Sequence, residues 1–180
     1  MKQLLFLLIL TSSLISNAQK KITKMGPILP NYGKVFQVEN PDLILQTDKE
    51  YKVIFDIYTD RSKGKKINPL LTTVARFLNM HAQQGVPAEN MKVVVIMHGA
   101  ATQSVLNNDA YKKQFHTENP NKDIIHALKG VGVELFVCGQ SYLAHEFNPA
   151  DKSKDVKMAL SALTALVYYQ SEGYQLITFN

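Results

Sequence analysis

The sequence predicts a three-layer α/β/α sandwich on a mostly parallel sheet of four to five strands. Three observations predict it. Segments with strand pattern alternate with segments of helix pattern about four times within one domain-sized stretch. The run Lys92-Val93-Val94-Val95-Ile96-Met97 is continuously apolar after its lysine, as in a strand buried on both faces. The connections are long enough to carry crossovers between parallel strands, and no internal repeat, low-complexity tract or second-domain linker interrupts the order.

In chain order, Met1-Lys2-Gln3 is followed by the uncharged run Leu4 to Leu10 and then by Ser16-Asn17-Ala18. A basic start, a short apolar stretch and a small-x-small ending make a secretory signal peptide, expected to be cleaved after Ala18. The apolar run is too short to span a bilayer, which takes about 20 residues. An exported chain, periplasmic in a Gram-negative source and free of the membrane after cleavage, is the expectation. The 162 residues left carry 19 basic and 15 acidic side chains, enough chain for one domain with a proper core. The surplus is concentrated in Lys20-Lys21-Ile22-Thr23-Lys24 and Lys63-Gly64-Lys65-Lys66. Neither run is interleaved with aromatics, so both read as solvated charge and no nucleic-acid partner is expected.

Residues 19–50 hold Gly26, Pro27, Pro30, Gly33 and Pro41 without a sustained period, and predict an irregular arm with one extended piece near Asp42 to Gln46. The domain proper, 51–180, opens with the strand Tyr51 to Tyr58. Asn68-Pro69 caps and starts a helix whose apolar face is Leu70, Leu71, Val74, Phe77, Leu78 and His81, closed by Gly85. The buried strand 92–97 follows. A short helix is expected over 103–115, another over 122–129, and a strand from Gly132 to Cys138. Ser141 is placed to cap the next helix. A long amphipathic helix is predicted over 153–172, then a last strand over 174–179.

The chemistry concentrates at two strand ends. Cys138 is the only cysteine, so the chain has no internal disulfide and no resolving thiol, and a dithiol oxidoreductase is excluded. At the carboxyl end of a strand, just ahead of a helix N-terminus, a thiol meets free N–H groups that favour thiolate. A free cysteine is equally a small apolar core residue, and both readings stand on local pattern. His98 ends the preceding strand, and neighbouring strands would bring it to the edge that holds Cys138, where an imidazole can take a thiol proton. The bland reading of His98 is a hydrogen-bonded strand-end residue. Asp56 and Asp60 have no carboxylate partner at a fixed spacing. No phosphate loop, nucleophilic-serine elbow or dinucleotide fingerprint is present, and no cofactor is expected.

His98-Gly99-Ala100, Asn119-Pro120-Asn121, Gly132-Val133-Glu134 leading into Cys138-Gly139-Gln140-Ser141, and Gly173-Tyr174-Gln175-Leu176-Ile177 together resemble the DsrE/DsrF-like family, in particular its exported single-domain branch. Asn68-Pro69-Leu70 with Arg76, Leu78 and Asn79 also fits, and the resemblance runs from about Tyr32 to Ile177. It implies an α/β/α fold, assembly into a homo-oligomer (trimer or hexamer), and sulfur carried as a persulfide on Cys138. His98 would assist, with Gly99, Asn79, Gly139, Gln140, Ser141 and His145 as binding positions. With one cysteine, both sulfur donor and sulfur acceptor are other molecules. Relatives tend to continue Cys-Gly-Gln with small residues ending in Arg-Gly; this chain has Tyr142 to Phe147 and sets His145 where an arginine could meet an anion. Two alternatives stand beside sulfur carriage: a non-catalytic homo-oligomeric module that binds a small ligand at the same strand ends, and a metal held by Cys138, His98 and His145.

Overall fold

The computed structural model describes residues 23–179; the expected signal peptide lies outside the described residues. Two short strands, β1 (Thr23–Lys24) and β2 (Val35–Phe36), pair antiparallel in the arm. Five more make a fully parallel sheet: β3 (Tyr51–Ile57), β4 (Met91–Met97), β5 (Glu134–Cys138), β6 (Lys157–Ala159) and β7 (Gln175–Thr178), in the order β6-β5-β4-β3-β7. The helices are α1 (Pro69–Gln83), α2 (Asn108–Phe115), α3 (Lys122–Gly130), α4 (Gly139–Ala144) and α5 (Ala162–Ser171). None is long and apolar enough to cross a membrane, among the described residues.

Topology assigns the helices to faces. From β3 to β5 the chain steps along the sheet in one direction, so right-handed crossovers put α1 and α3 on one face. From β6 it returns across the whole sheet to β7 beyond β3, which puts α5 on the other face. Two cores result. The larger packs Val53, Phe55, Val93, Val95, Leu135 and Val137 under Leu71, Val74, Leu78, Ile124 and Leu128. The smaller holds Ile54, Val94, Ile96 and Cys138 under Ala162 and Ala165. Each fully buried Leu, Ile, Val or Phe is worth roughly 1.5–3 kcal/mol against exposure, so the first core carries most of the stability.

Local chemistry sets the ends. Asn68 caps α1 by accepting from Leu70 N at 3.0 Å, and its own N–H donates to Asn121 Oδ1 at 2.7 Å. Asn107 caps α2 in the same way, accepting from Ala110 N at 2.9 Å.

Four expectations are corrected. The extended piece expected near residues 42–46 is not a strand; the pairing in the arm is Thr23 with Phe36 and Lys24 with Val35. The helix expected over 103–115 is a 3₁₀ stretch, Gly99–Val105, followed by α2. The long helix expected from 153 is β6 followed by α5. Extended backbone at Ser161 interrupts it, and the Ser161 hydroxyl accepts from Thr164 N at 3.0 Å. Finally, Ser141 is not a cap: α4 starts at Gly139 and Cys138 itself is the N-cap.

Candidate functional site

At the carboxyl edge of the sheet, β5 feeds α4, whose Tyr142 packs into the larger core, whereas β6 feeds α5 on the opposite face. The connections therefore diverge between β5 and β6, and a parallel sheet opens its ligand crevice at such a switch point. Cys138, paired with Ala159, is the last residue of β5 at that point.

Three backbone N–H groups surround the sulfur. Ser141 N lies 3.4 Å from Sγ, and the backbone N–H groups of Gln140 and Ala162 also act to lower the thiol. Two come from the first turn of α4 and one from the first residue of α5, so the positive ends of two helices meet at one atom. The Ser141 hydroxyl, which accepts from the Gly99 N–H at 3.2 Å, also favours the thiolate. Burial pushes the thiol up, but the Ser141 hydroxyl and the three N–H groups outweigh it and hold Cys138 below the ordinary thiol value. Cys138 is only 4% exposed.

Both glycines of the site answer to backbone crowding. A β-carbon on Gly99, whose φ is +53°, would stand 2.7 Å from the Tyr58 carbonyl oxygen. One on Gly139 would stand 2.9 Å from Ala159 O and 3.3 Å from Leu160 O. Gly139 thus lets α4 start against the β6–α5 connection, which brings Ala162 N to the sulfur. His145 closes the outer side, with Nε2 3.1 Å from Gly99 O and its ring stacked on Phe147. Gln140 contributes its N–H and presents an exposed side chain.

His98 lies one step beyond the last registered pair, Met97 with Val137, which sets it level with Cys138 on the adjacent strand. Its backbone stays extended and its N–H continues the ladder to Ile57 O at 2.9 Å. The ring, however, turns toward β3, where Nε2 lies 2.8 Å from Asp56 Oδ1. Asp56 is a site residue that sequence reasoning set aside, because its partner is a histidine on the next strand and only the β3–β4 register reveals it. Ala162 was missed because its segment read as mid-helix.

Asn79 is not brought to the site. It is fully buried on α1, on the face of the sheet opposite Cys138. Its Oδ1 accepts from Ile28 N and Leu29 N at 3.2 and 2.9 Å, and its Nδ2 donates to the carbonyls of Leu29, Tyr32 and Gly33. It fastens the arm. A groove of about 600 Å³ on that side, lined by Lys24, Phe36, Val38, Ile44 and Met80, contains no thiol, hydroxyl or imidazole. Cys138, His98 and His145 do not converge on one point either: the two imidazoles are engaged by Asp56 and by Gly99 O. Among the described residues no group of three or more His, Cys, Asp or Glu side chains could hold a metal ion.

A parallel α/β sandwich with a single thiol cradled at a switch point defines the class of the domain. The chain belongs to the DsrE/DsrF-like family, whose model matches residues 52–179. No curated protein matches it. Among solved structures it is similar to a protein of unknown function, MTH1491 from Methanobacterium thermoautotrophicum, at 18% identity and a TM-score of 0.54, covering 72% of this chain and all of the other. It is also similar to the ychN protein of E. coli, at 12% identity and a TM-score of 0.52, covering 72% of this chain and 99% of the other. These likenesses are of fold.

Proposed function

We propose that the chain is an exported, periplasmic member of its family that carries sulfane sulfur as a persulfide on Cys138. The observation that carries this reading is the Ser141 N–H held 3.4 Å from Sγ at the switch point, with the Gln140 and Ala162 backbone also favouring the thiolate. That cradle stabilises the thiolate once its proton has left, and an anionic terminal sulfur is its next occupant. With a single cysteine, the sulfur arrives from one partner molecule and leaves to another. The family supports the reading through the sulfur-relay role that the resemblance implies.

Intact mass after incubation of the mature protein with inorganic polysulfide tests it. The expected result is a gain of one sulfur atom by wild type and none by Cys138→Ser. A Cys138→Ser protein that still takes up sulfur overturns the reading.

The outer surface of α5 supports assembly of several copies. Residues 158–171 contain no charged side chain, and Leu160, Leu163, Val167 and Tyr168 are exposed. An uncharged helix face that exposes several large apolar side chains belongs in an interior. A homo-oligomer, trimer or hexamer, in which this face meets another copy is part of the proposal.

The low exposure of Cys138 favours a second reading, a non-catalytic module that binds a small ligand at the same crevice. In that case Cys138→Ser leaves ligand affinity within about tenfold, or ~1.4 kcal/mol.

A further inference from the structure

The carboxyl ends of β3, β4 and β5 present Asp56, His98 and Cys138 on one face of the sheet. Asp56 alternates with Ile54 and His98 with Ile96, and both isoleucines share the smaller core with Cys138. Three adjacent strands therefore line up a carboxylate, an imidazole and a thiol without any loop having to fold over them. The carboxylate and imidazole are joined at 2.8 Å, with side chains 18% and 27% exposed. We infer that Asp56 is a positioning residue: it fixes His98 in the tautomer whose Nδ1 is the free base, so that His98 moves the Cys138 proton during sulfur loading. This deepens the persulfide reading of the preceding subsection and rests on it.

The chemistry follows from what each group can hold. An ionised Asp56 only accepts, so the proton between Nε2 and Oδ1 belongs to the ring, and a neutral ring then carries its lone pair on Nδ1. With a low-molecular-weight persulfide as donor, His98 takes the Cys138 proton and the thiolate attacks the terminal sulfur of the donor. The Sγ–S bond forms, the S–S bond of the donor breaks, and the departing thiolate receives the proton from His98. The sulfane sulfur changes carrier, with no net oxidation or reduction. The other groups facing His98 leave this pairing intact. Tyr58 stands with its ring 6.2 Å away, Thr178 is the β7 partner of Asp56, His145 is engaged by Gly99 O, and α5 brings no charge. The pair is distinct from the thiolate cradle, which is built from backbone N–H groups and Ser141.

Two readouts on purified full-length mature protein test this and separate it from the reading beneath it. The first is the rate of sulfur loading from glutathione persulfide against pH. Asp56→Asn is expected to load about tenfold more slowly at saturating donor, with half-saturation unchanged. Its pH profile should be displaced from that of wild type, and Asp56→Glu should recover part of the rate. Adding Asp56→Asn to His98→Gln should change nothing further, because a positioning residue acts only through the group it positions. The second is the pH profile of Cys138 alkylation by iodoacetamide in the native protein, which needs no sulfur donor. Wild type that loads, with an Asp56→Asn profile identical to it, overturns the role of Asp56 and leaves sulfur carriage standing. Wild type that does not load removes sulfur carriage, and the alkylation profiles alone then decide whether Asp56 and His98 govern the thiol: coincident profiles overturn the inference, and displaced ones uphold the pairing. If Asp56→Asn is insoluble, Asp56→Glu and His98→Gln carry the same comparison.

Discussion

Gly139 and Ala159 face each other so closely that a β-carbon on residue 139 would stand 2.9 Å from the Ala159 carbonyl oxygen. Backbone, not a flexible side chain, is what a larger residue would meet. Gly139→Ala is therefore expected to destabilise the protein by about 1–3 kcal/mol, the usual range for overpacking. Because the displaced segment leads into α5, the same change should move Ala162 N away from the sulfur. Thermal unfolding reads the first effect and the native thiol titration reads the second. An unchanged titration in a destabilised variant would show that the strain is absorbed on the α4 side.

Ser141 holds its N–H 3.4 Å from the Cys138 sulfur, and its hydroxyl also lowers the thiol. Ser141→Ala removes the hydroxyl alone, so the folded thiol should titrate higher than in wild type, followed by thiolate absorbance in the ultraviolet. The consequence for stability has a definite sign. A thiol lowered by folding contributes stability that is fully present above its unfolded value and lost as pH falls through its folded value. The advantage of wild type over Ser141→Ala in denaturant melts should therefore grow with rising pH across that interval. A constant difference would assign the serine a packing role.

Asn79 satisfies five backbone groups of the arm from one buried side chain. Asn79→Ala leaves buried N–H and C=O groups without partners, at about 1–3 kcal/mol each. The arm is expected to detach before the sheet unfolds, so hydrogen exchange at residues 28–33 should quicken by orders of magnitude while the β3–β5 amides stay protected. Sulfur loading should be unaffected, because this seam lies on the other face of the sheet.

On α5, Leu163 is 78% exposed and Val167 69%. Sedimentation of the wild-type protein is expected to show an oligomer, and Leu163→Asp should shift it toward the monomer, since a charge within a buried apolar contact is strongly disfavoured. A wild type that sediments as a monomer would remove this face as a site of self-association.

Much of the fold is legible in the primary structure because the main elements carry their own punctuation. Asn68-Pro69 and Gly85 bracket α1, and the valine run of β4 identifies itself by composition. Short elements are another matter. Val156, Ala159 and Leu160 satisfy a helical period, although Val156 serves the larger core and Ala159 ends a three-residue strand. Periodicity cannot distinguish those outcomes at such lengths; Ser161, an N-cap residue ahead of Ala162, was the available clue. At the site, the juxtaposition of His98 with Cys138 follows from strand adjacency. The pairing of Asp56 with His98 needs the register of β3 against β4, which a single sequence does not encode locally. Asn79 shows the converse: a polar residue that resembles a ligand contact turns out to bind its own chain.

The return of the chain across the sheet through α5 has a consequence for timing. Gln140 and Ser141 stand within three residues of Cys138, but Ala162 reaches it only after β6 has joined the sheet and α5 has docked. A copy still extended exposes an ordinary thiol without its full set of donors. The full set of donors is thus assembled late, by completion of the tertiary structure, and an immature chain is shielded from the sulfur chemistry its finished form is proposed to perform.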